Sequence, residues 1–163
     1  GSEEIIEKLL NMGFFTAPAS TKYHGAYEGG LFDHSCNVTK ALLRLTRYNE
    51  LTWERKESPC IVGMFHDLCK CDQYYLEEFG NDSSIYAFDT ETLLKGHGEK
   101  SIMLLSQFFT LTEEEILCIR YHMGAFVPKD EWNDYTRAIH KYPNVLWTHT
   151  ADMLAAHVME IDV

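Results

Sequence analysis

The chain has 163 residues, of which 45% are hydrophobic and 13% aromatic, with only four prolines and ten glycines. This composition is typical of a folded globular protein and excludes a disordered or collagen-like chain, and the length fits one domain with its own core. The formal net charge of −11 comes from acidic residues spread along the chain, which leaves no basic stripe for duplex nucleic acid. A small anionic substrate is still compatible with this charge, because a bound dication reverses the field locally.

The cysteines and the first residues of the chain are used to predict the cellular compartment of the protein. The five cysteines are odd in number and form no Cys-x-x-Cys pair, and no signal-peptide pattern opens the chain, so we expect a reduced, cytoplasmic protein. No apolar run approaches the length of a bilayer crossing, so we expect no membrane partner. Gly1 and Ser2 have the look of a cloning remnant, which leaves one predicted domain over residues 3–163. No sequence pattern indicates an oligomeric state.

Apolar residues recur at helical spacing along most of the chain. The segments with this period lie near residues 5–10, 38–45, 61–68, 102–109, 116–119 and 145–154. Two helix starts carry signals of their own: Thr112 is followed three residues later by Glu115, as in a capping box, and Pro143 suits a first turn. The sequence therefore predicts an all-α bundle.

One stretch, DQYYLEEFGNDSSIYAFDTETLL at residues 72–94, does not follow the helical period. Aromatic residues flank the polar residues 80–84, which predicts a small β-hairpin insertion near residues 73–89, with strands at roughly 73–79 and 84–89. An insertion of this length in a helical protein is often functional.

The stretch VGMFHDLCK, residues 62–70, places His66-Asp67 directly after an apolar run. Alone, this pair is more typical of a polar contact near a core than of a metal site. Further candidate ligands follow at intervals of about one helix plus its connection, each in or at the end of a different predicted helix: His34, His97, His122 and Asp152. Packed helices bring such positions together inside a bundle, where helical proteins build metal sites.

The residue types indicate the kind of metal and its use. Imidazole nitrogens with carboxylate oxygens and no thiolate favour Fe, Mn, Co or Ni over Zn or Mg, with open positions for water. One such ion lowers the pKa of bound water towards neutrality and polarises a phosphoester, and two ions about 3.5–4 Å apart do so better. We therefore expect a catalytic site with one or two divalent transition metal ions.

The ordered set of His34, His66-Asp67 and Asp152 forms an H…HD…D pattern. With the stretches GGLFDHS, HDLCK, GHGEKS, RYHMG and TADMLAA, it resembles the HD-domain metal-dependent phosphohydrolase superfamily over about residues 23–156. The resemblance implies an HD-domain helical bundle in which His34, His66, Asp67 and Asp152 bind the first metal.

Some members of this superfamily, such as the HD-GYP cyclic-dinucleotide phosphodiesterases, have two further histidines that bind a second metal. The resemblance implies this role for His97 and His122, with Asp67 as the bridge. This sequence has neither the Gly-Tyr-Pro nor the adjacent histidines of HD-GYP proteins, so cyclic di-GMP is not implied. HGAYEGGLFDHS resembles a segment of bacterial HD-domain 3′-to-5′ exoribonucleases, whose extra nucleic-acid-binding domain is absent from these residues, so a polynucleotide is not implied either.

Three further polar residues are candidates for contact with substrate. Lys70 follows His66 by four residues, so on a helix it would share the face of His66 and reach a substrate phosphate; the alternative is a solvated lysine at a helix end. Lys100, three residues after His97, is a weaker phosphate-binding candidate. His24 faces either the substrate or the solvent. His149 precedes Asp152 by three residues and is either hydrogen-bonded to a ligand or simply packed.

The sequence thus favours an enzyme. We predict a metal-dependent phosphohydrolase, either a phosphomonoesterase or a phosphodiesterase, that acts on a nucleotide or another small phosphoester through a metal-activated hydroxide. Asp67 and Lys70 are its predicted catalytic residues, and His24, Lys70 and Lys100 its predicted substrate-binding residues. The alternative is a sensor or regulatory HD domain that binds metal and nucleotide without turnover.

Overall fold

A computed structural model describes residues 1–80 and 83–160 of the chain. These residues form seven α-helices: α1 Ser2–Met12, α2 Gly30–Tyr48, α3 Ser58–Phe65, α4 Gly98–Leu105, α5 Glu113–Arg120, α6 Trp132–Lys141 and α7 Asn144–Leu154. Shorter elements are 3₁₀ helices at Leu68–Asp72, Gly124–Phe126 and Lys129–Glu131, a π-helical turn at Ala155–Met159, and strands β1 Tyr74–Phe79 and β2 Ser83–Phe88. The predicted mostly α fold with a β-hairpin insertion is confirmed.

The core forms where α2, α3, α5 and α7 pack against one another. Its fully buried side chains come from the predicted apolar faces and include Val38, Leu42, Val62, Ile119 and Val145. Burial of an aliphatic side chain of this size contributes about 1.5–3 kcal/mol. None of the helices in the described ranges is both long and apolar enough to span a bilayer.

Gly63 allows α3 to approach α2 closely. A Cβ atom at this position would lie 2.7 Å from the Cα of Thr39, nearer than any real Cβ contact. The Thr39 hydroxyl turns inward and donates to the carbonyl of Ser35 at 2.8 Å, so the interface stays satisfied. This approach brings the end of α3 beside the start of α2, where His66 and His34 lie.

The helix start predicted at Thr112 is confirmed. The Thr112 hydroxyl accepts from the backbone N–H of Glu115 at 3.2 Å, and the Glu115 carboxylate accepts from the backbone N–H of Thr112 at 2.9 Å. Pro143 lies directly before α7, and its carbonyl accepts from the N–H of Leu146 at 3.0 Å. These caps fix where α5 and α7 begin, and so where their other ends reach the candidate site.

The hairpin pairs its two strands in antiparallel register from Tyr74 opposite Phe88 to Phe79 opposite Ser83. The observed strands lie within one residue of the predicted ones. The predicted turn residues Asn81 and Asp82 lie outside the described residues. The hairpin directly follows the 3₁₀ helix Leu68–Asp72, so it extends from the segment that carries the His-Asp pair.

Candidate metal centre

The six predicted metal ligands converge on one cluster in the interior of the bundle. Each comes from the end of an element or from the adjoining connection, and their positions are His34 in the first turns of α2, His66 and Asp67 after α3, His97 before α4, His122 after α5, and Asp152 near the end of α7. Four of the six side chains are almost completely buried; those of His97 and Asp152 are partly exposed.

One half of the cluster contains His34, His66 and Asp152. His34 Nε2 lies 3.1 Å from Asp152 Oδ1 and 3.6 Å from Asp67 Oδ2. His66 Nε2 lies 3.5 Å from the same Asp67 oxygen and 3.8 Å from Asp152 Oδ1. Two imidazole nitrogens and two carboxylate oxygens therefore face one another.

The other half contains His97 and His122. Asp67 Oδ1 lies 2.9 Å from His97 Nε2 and 3.2 Å from His122 Nε2, and these two nitrogens are 3.1 Å apart. The two oxygens of Asp67 therefore face different groups of ligands, Oδ2 the first half and Oδ1 the second. A carboxylate placed in this way has the geometry to bridge two cations.

Backbone carbonyls set the orientation of two of the imidazole rings. His66 Nδ1 donates to the carbonyl of Gly63 at 2.9 Å, and His122 Nδ1 donates to the carbonyl of Ile119 at 2.7 Å. Since a carbonyl can only accept, Nδ1 carries the hydrogen in each neutral ring. The lone pair on Nε2 is then directed into the cluster, as a metal ligand requires.

Side chains orient the other two rings. His34 Nδ1 donates to the Glu160 carboxylate, with its oxygens at 3.1 and 3.2 Å, and Asn37 donates to the same carboxylate at 3.2 Å. His97 Nδ1 lies 3.2 Å from the Sγ of buried Cys69. The sequence predicts neither the contact of Glu160 nor that of Cys69.

Several ligand atoms in this cluster are buried without a hydrogen-bond partner among the described residues: His34 Nε2, His66 Nε2 and Asp67 Oδ1. Leaving one buried polar group unsatisfied costs about 1–3 kcal/mol. Cations held in the two halves would satisfy all three atoms, because His34 Nε2 and His66 Nε2 face the first half and Asp67 Oδ1 faces the second. The donor set of imidazole and carboxylate therefore fits a metal ion.

The pKa shifts within the cluster also fit a site for a metal ion. Burial opposes the charged form of His34, but the nearby carboxylates of Asp152 and Glu160 raise its pKa to about 9. Burial likewise opposes charge on His97, and Asp67 and Cys69 raise its pKa to about 10. Burial would raise the pKa of Asp67, but Lys70 and His66 hold it well below its ordinary value. Without a metal, Asp67 and Asp152 therefore stay ionised and favour protonation of His34 and His97, whereas burial lowers the pKa of His122.

A cavity of about 170 Å³ opens onto the cluster, with His24, Asp67, Lys70, His149 and Asp152 among its lining residues. Lys70 Nζ donates to Asp67 Oδ2 at 2.7 Å. The α-helix that we expected to carry Lys70 on the face of His66 instead ends at Phe65 and gives way to a 3₁₀ helix from Leu68. Lys70 reaches the cavity by this tighter turn, three residues from its carboxylate partner.

The remaining candidates differ in position. His24 is half-buried, and its ring centroid lies 4.9 Å from that of His34; burial, together with the nearby His34 and Lys70, lowers its pKa. His149 Nδ1 donates to the carbonyl of His122 at 2.7 Å. Lys100 is buried in an ion pair with the Asp72 carboxylate and is not among the residues that line the cavity.

Comparison with known proteins gives one informative relative. The chain is 34% identical over 80 residues to a dihydroneopterin 2′,3′-cyclic phosphate phosphodiesterase of Methanocaldococcus jannaschii, and the match covers 47% of this chain and 32% of the relative. The matched segment thus spans about a third of that enzyme. No family model and no solved structure matches the sequence. A distant relative is therefore a phosphodiesterase, which supports phosphohydrolase chemistry in general.

Proposed function

We propose that this chain is a metal-dependent phosphohydrolase of the HD superfamily, formed by a single domain over residues 3–163 and acting on a nucleotide or another small phosphoester. The observation that carries the proposal is the position of Asp67, whose two oxygens face two separate groups of histidines. The phosphodiesterase relative favours a diester, and its name includes a 2′,3′-cyclic phosphate, so diesters of this kind are the first substrates to test.

The ligand roles follow from the two halves of the cluster. In the proposal, Asp67 contributes one oxygen to each half; the first ion is held by His34, His66, Asp67 and Asp152, and the second by His97, His122 and Asp67. A divalent transition metal bound here supplies an activated water nucleophile and stabilises the charge of the phosphoryl group. Iron, manganese, cobalt and nickel suit these ligands best.

The remaining residues bind and orient the substrate. Lys70 carries its positive charge at the wall of the cavity beside Asp67, where it can pair with a phosphoryl oxygen. Burial opposes this charge, but Asp67 raises the pKa of Lys70, so the lysine stays protonated. His24 lines the same cavity and, in this proposal, also contacts the substrate. The ion pair of the buried Lys100 with Asp72 gives Lys100 a structural role in this proposal.

The test begins with the metal. Protein purified without chelator is analysed for bound transition metals and then assayed with 2′,3′-cyclic and 5′-monophosphate nucleotides, with and without added Mn²⁺ or Fe²⁺. We expect bound metal and metal-dependent release of product. His66→Ala should abolish both while the protein stays helical by circular dichroism, and His140→Ala, at an exposed position on α6, should leave both unchanged.

Each alternative has its own result. If native and reconstituted protein hold no metal, the proposal is wrong. If His66→Ala turns over substrate as fast as the wild type, the ligand assignment is wrong. Metal and nucleotide binding without turnover on any member of the panel would instead identify the chain as a sensor or regulatory domain.

A further inference from the structure

The cavity beside the metal cluster is lined by two chemically different kinds of side chain. The polar ones include Asp67 and Lys70, which are joined by an ion pair. The apolar ones are Met123, Phe126, Met153 and Ala156. A phosphoester alone would use only the polar lining. The apolar lining therefore indicates that the rest of the ligand carries an apolar or aromatic surface.

The size of the cavity indicates where that surface must lie. Its volume is about 170 Å³, below the roughly 300–1,000 Å³ of pockets that enclose a whole small-molecule ligand. A second cavity of about 260 Å³ lies on the far side of Met123 and Phe126 and is also lined by His97, Arg120 and Pro128. Met123 and Phe126 thus form a ridge between two cavities. A ligand whose phosphate reaches the cluster would extend across this ridge.

The ridge is held in place by the segment that follows His122. Gly124 has a φ of 60°, and a Cβ atom on it would lie 2.6 Å from the ring of His149, so only glycine fits there. The same His149 ring donates to the carbonyl of His122 at 2.7 Å. The turn Gly124–Phe126 is therefore fixed relative to a metal ligand only four residues before Phe126.

Phe126 itself is exposed although it lines both cavities. The residue is 77% exposed, against 38% for Met153 of the same cavity. The next residue, Val127, is buried, and its carbonyl accepts from Trp132 Nε1 at 3.2 Å, which anchors the far side of the turn. An aromatic ring held at the mouth of a polar cavity offers a free π-face.

We infer that the site takes a phosphoester carried by a planar aromatic ring, such as a nucleotide base, and that this ring stacks on Phe126 while the phosphate reaches Lys70 and the metal cluster. This inference rests on the proposed function, whose substrate class it narrows. Every base has a π-face, so stacking on Phe126 selects for an aromatic ring without selecting one particular base. Phe126 is thus a specificity-determining residue, and sugar phosphates without a base are poor ligands.

The experiment compares ligands that differ only in the base. Binding of adenosine, guanosine, cytidine and uridine 5′-monophosphate and of ribose 5-phosphate to Mn²⁺-loaded protein is measured by isothermal titration calorimetry. At least one nucleotide should bind more tightly than ribose 5-phosphate. Phe126→Ala should lower the affinity for that nucleotide by about five- to a hundredfold and leave the affinity for ribose 5-phosphate unchanged. Phe126→Trp should restore the affinity for the nucleotide. Tyr48→Ala, at an aromatic position 80% exposed at the end of α2, is the matched control and should change neither ligand.

The results separate this inference from the proposed function. If all four nucleotides bind no better than ribose 5-phosphate, or if Phe126→Ala weakens both kinds of ligand equally, the stacking role is wrong. If nucleotide binding depends on Phe126 but the protein has no hydrolytic activity, the stacking role of Phe126 is supported and the proposed hydrolase function is wrong. If hydrolysis depends on metal but its KM is unchanged in Phe126→Ala, the hydrolase function is supported and the stacking role of Phe126 is wrong.

Discussion

Two buried polar clusters lie in the same helical core, and they differ in how their atoms are satisfied. The first surrounds Glu115 of α5, whose carboxylate accepts from Arg55 Nε and Nη2 at 2.7 Å each, from the Ser58 hydroxyl at 2.8 Å and from the Thr112 N–H at 2.9 Å. Both of its oxygens are fully engaged by donors. This cluster ties α5 to the segment before α3 and needs nothing from outside the chain.

The His/Asp cluster has the opposite character. Carbonyls, a carboxylate and a thiol contact the outer nitrogens of its rings. The atoms that face inward, such as His66 Nε2 and Asp67 Oδ1, have no hydrogen-bond partner within residues 1–80 and 83–160. Burial of polar groups is therefore not the signal of function. The signal is a set of well-oriented side chains whose inward atoms are unsatisfied, because only a bound cation or substrate completes them.

The largest effect is expected for Asp67→Asn, which should change metal binding and hydrolysis through the His/Asp cluster alone. Asp67→Asn keeps the shape of the side chain but removes the charge shared by both halves of the cluster. We expect metal content to fall close to zero and hydrolysis to fall to the background rate, measured by elemental analysis and product release. Asp130→Asn, at an exposed position, is the charge-matched control. Metal content equal to the wild type in Asp67→Asn would contradict the assignment of Asp67 as the shared ligand.

A change in the Glu115 cluster should act on stability instead. Arg55→Ala removes two charged donors and leaves the fully buried Glu115 carboxylate without a counter-charge. Because Arg55 is 35% exposed and Glu115 keeps its bonds from Ser58 and Thr112, the loss should be about 1–3 kcal/mol. For a chain of this size each kcal/mol lowers Tm by about 2–4 °C. Thermal unfolding should show this loss, while metal content of the folded protein stays unchanged.

The control for that change is Arg137→Ala. Arg137 is 82% exposed and pairs with Asp134 on the surface of α6, an interaction worth at most about 1 kcal/mol. Equal losses of stability in Arg55→Ala and Arg137→Ala would show that the Glu115 cluster is not the structural element described above. Loss of bound metal in folded Arg55→Ala would show that the two clusters are not independent.

How far the sequence predicts each cluster depends on the range of the contacts involved. The helical period and the capping signal at Thr112 are local, and they predict most of the helices, including those next to the candidate ligands, but not α6. At Lys70 the chain forms a 3₁₀ turn in place of the expected α-helix. The Lys70 N–H donates to the carbonyl of Asp67, three residues before it, and tertiary packing selects this bond over the α-helical one. Lys100 pairs with Asp72 across elements, and no spacing in the sequence indicates that contact.

Glu160 is the clearest example of a contact between distant residues that the sequence does not predict. It lies 126 positions from His34, after the π-helical turn that follows α7, and the sequence offers no motif there. Only the packing of that turn against α2 brings the carboxylate to His34 Nδ1. A carboxylate that accepts from a metal-ligating histidine fixes the ring and increases its basicity. In the proposed metal centre, Glu160 would therefore be a positioning residue, and only the structure indicates this role.

The smallest of these effects is predicted for Glu160→Gln. The amide removes the negative charge behind His34 but keeps the size of the side chain, so metal affinity should fall by about 10- to 100-fold, as is typical for partners of metal-ligating histidines. Competition with a chelator measures this affinity, and thermal unfolding of the metal-free protein checks the fold. Glu3→Gln, in the exposed first turn of α1, removes the same charge far from the cluster and should leave the affinity unchanged. If the two variants bind metal equally well, the Glu160 carboxylate does not tune His34, and the ring is oriented by packing alone.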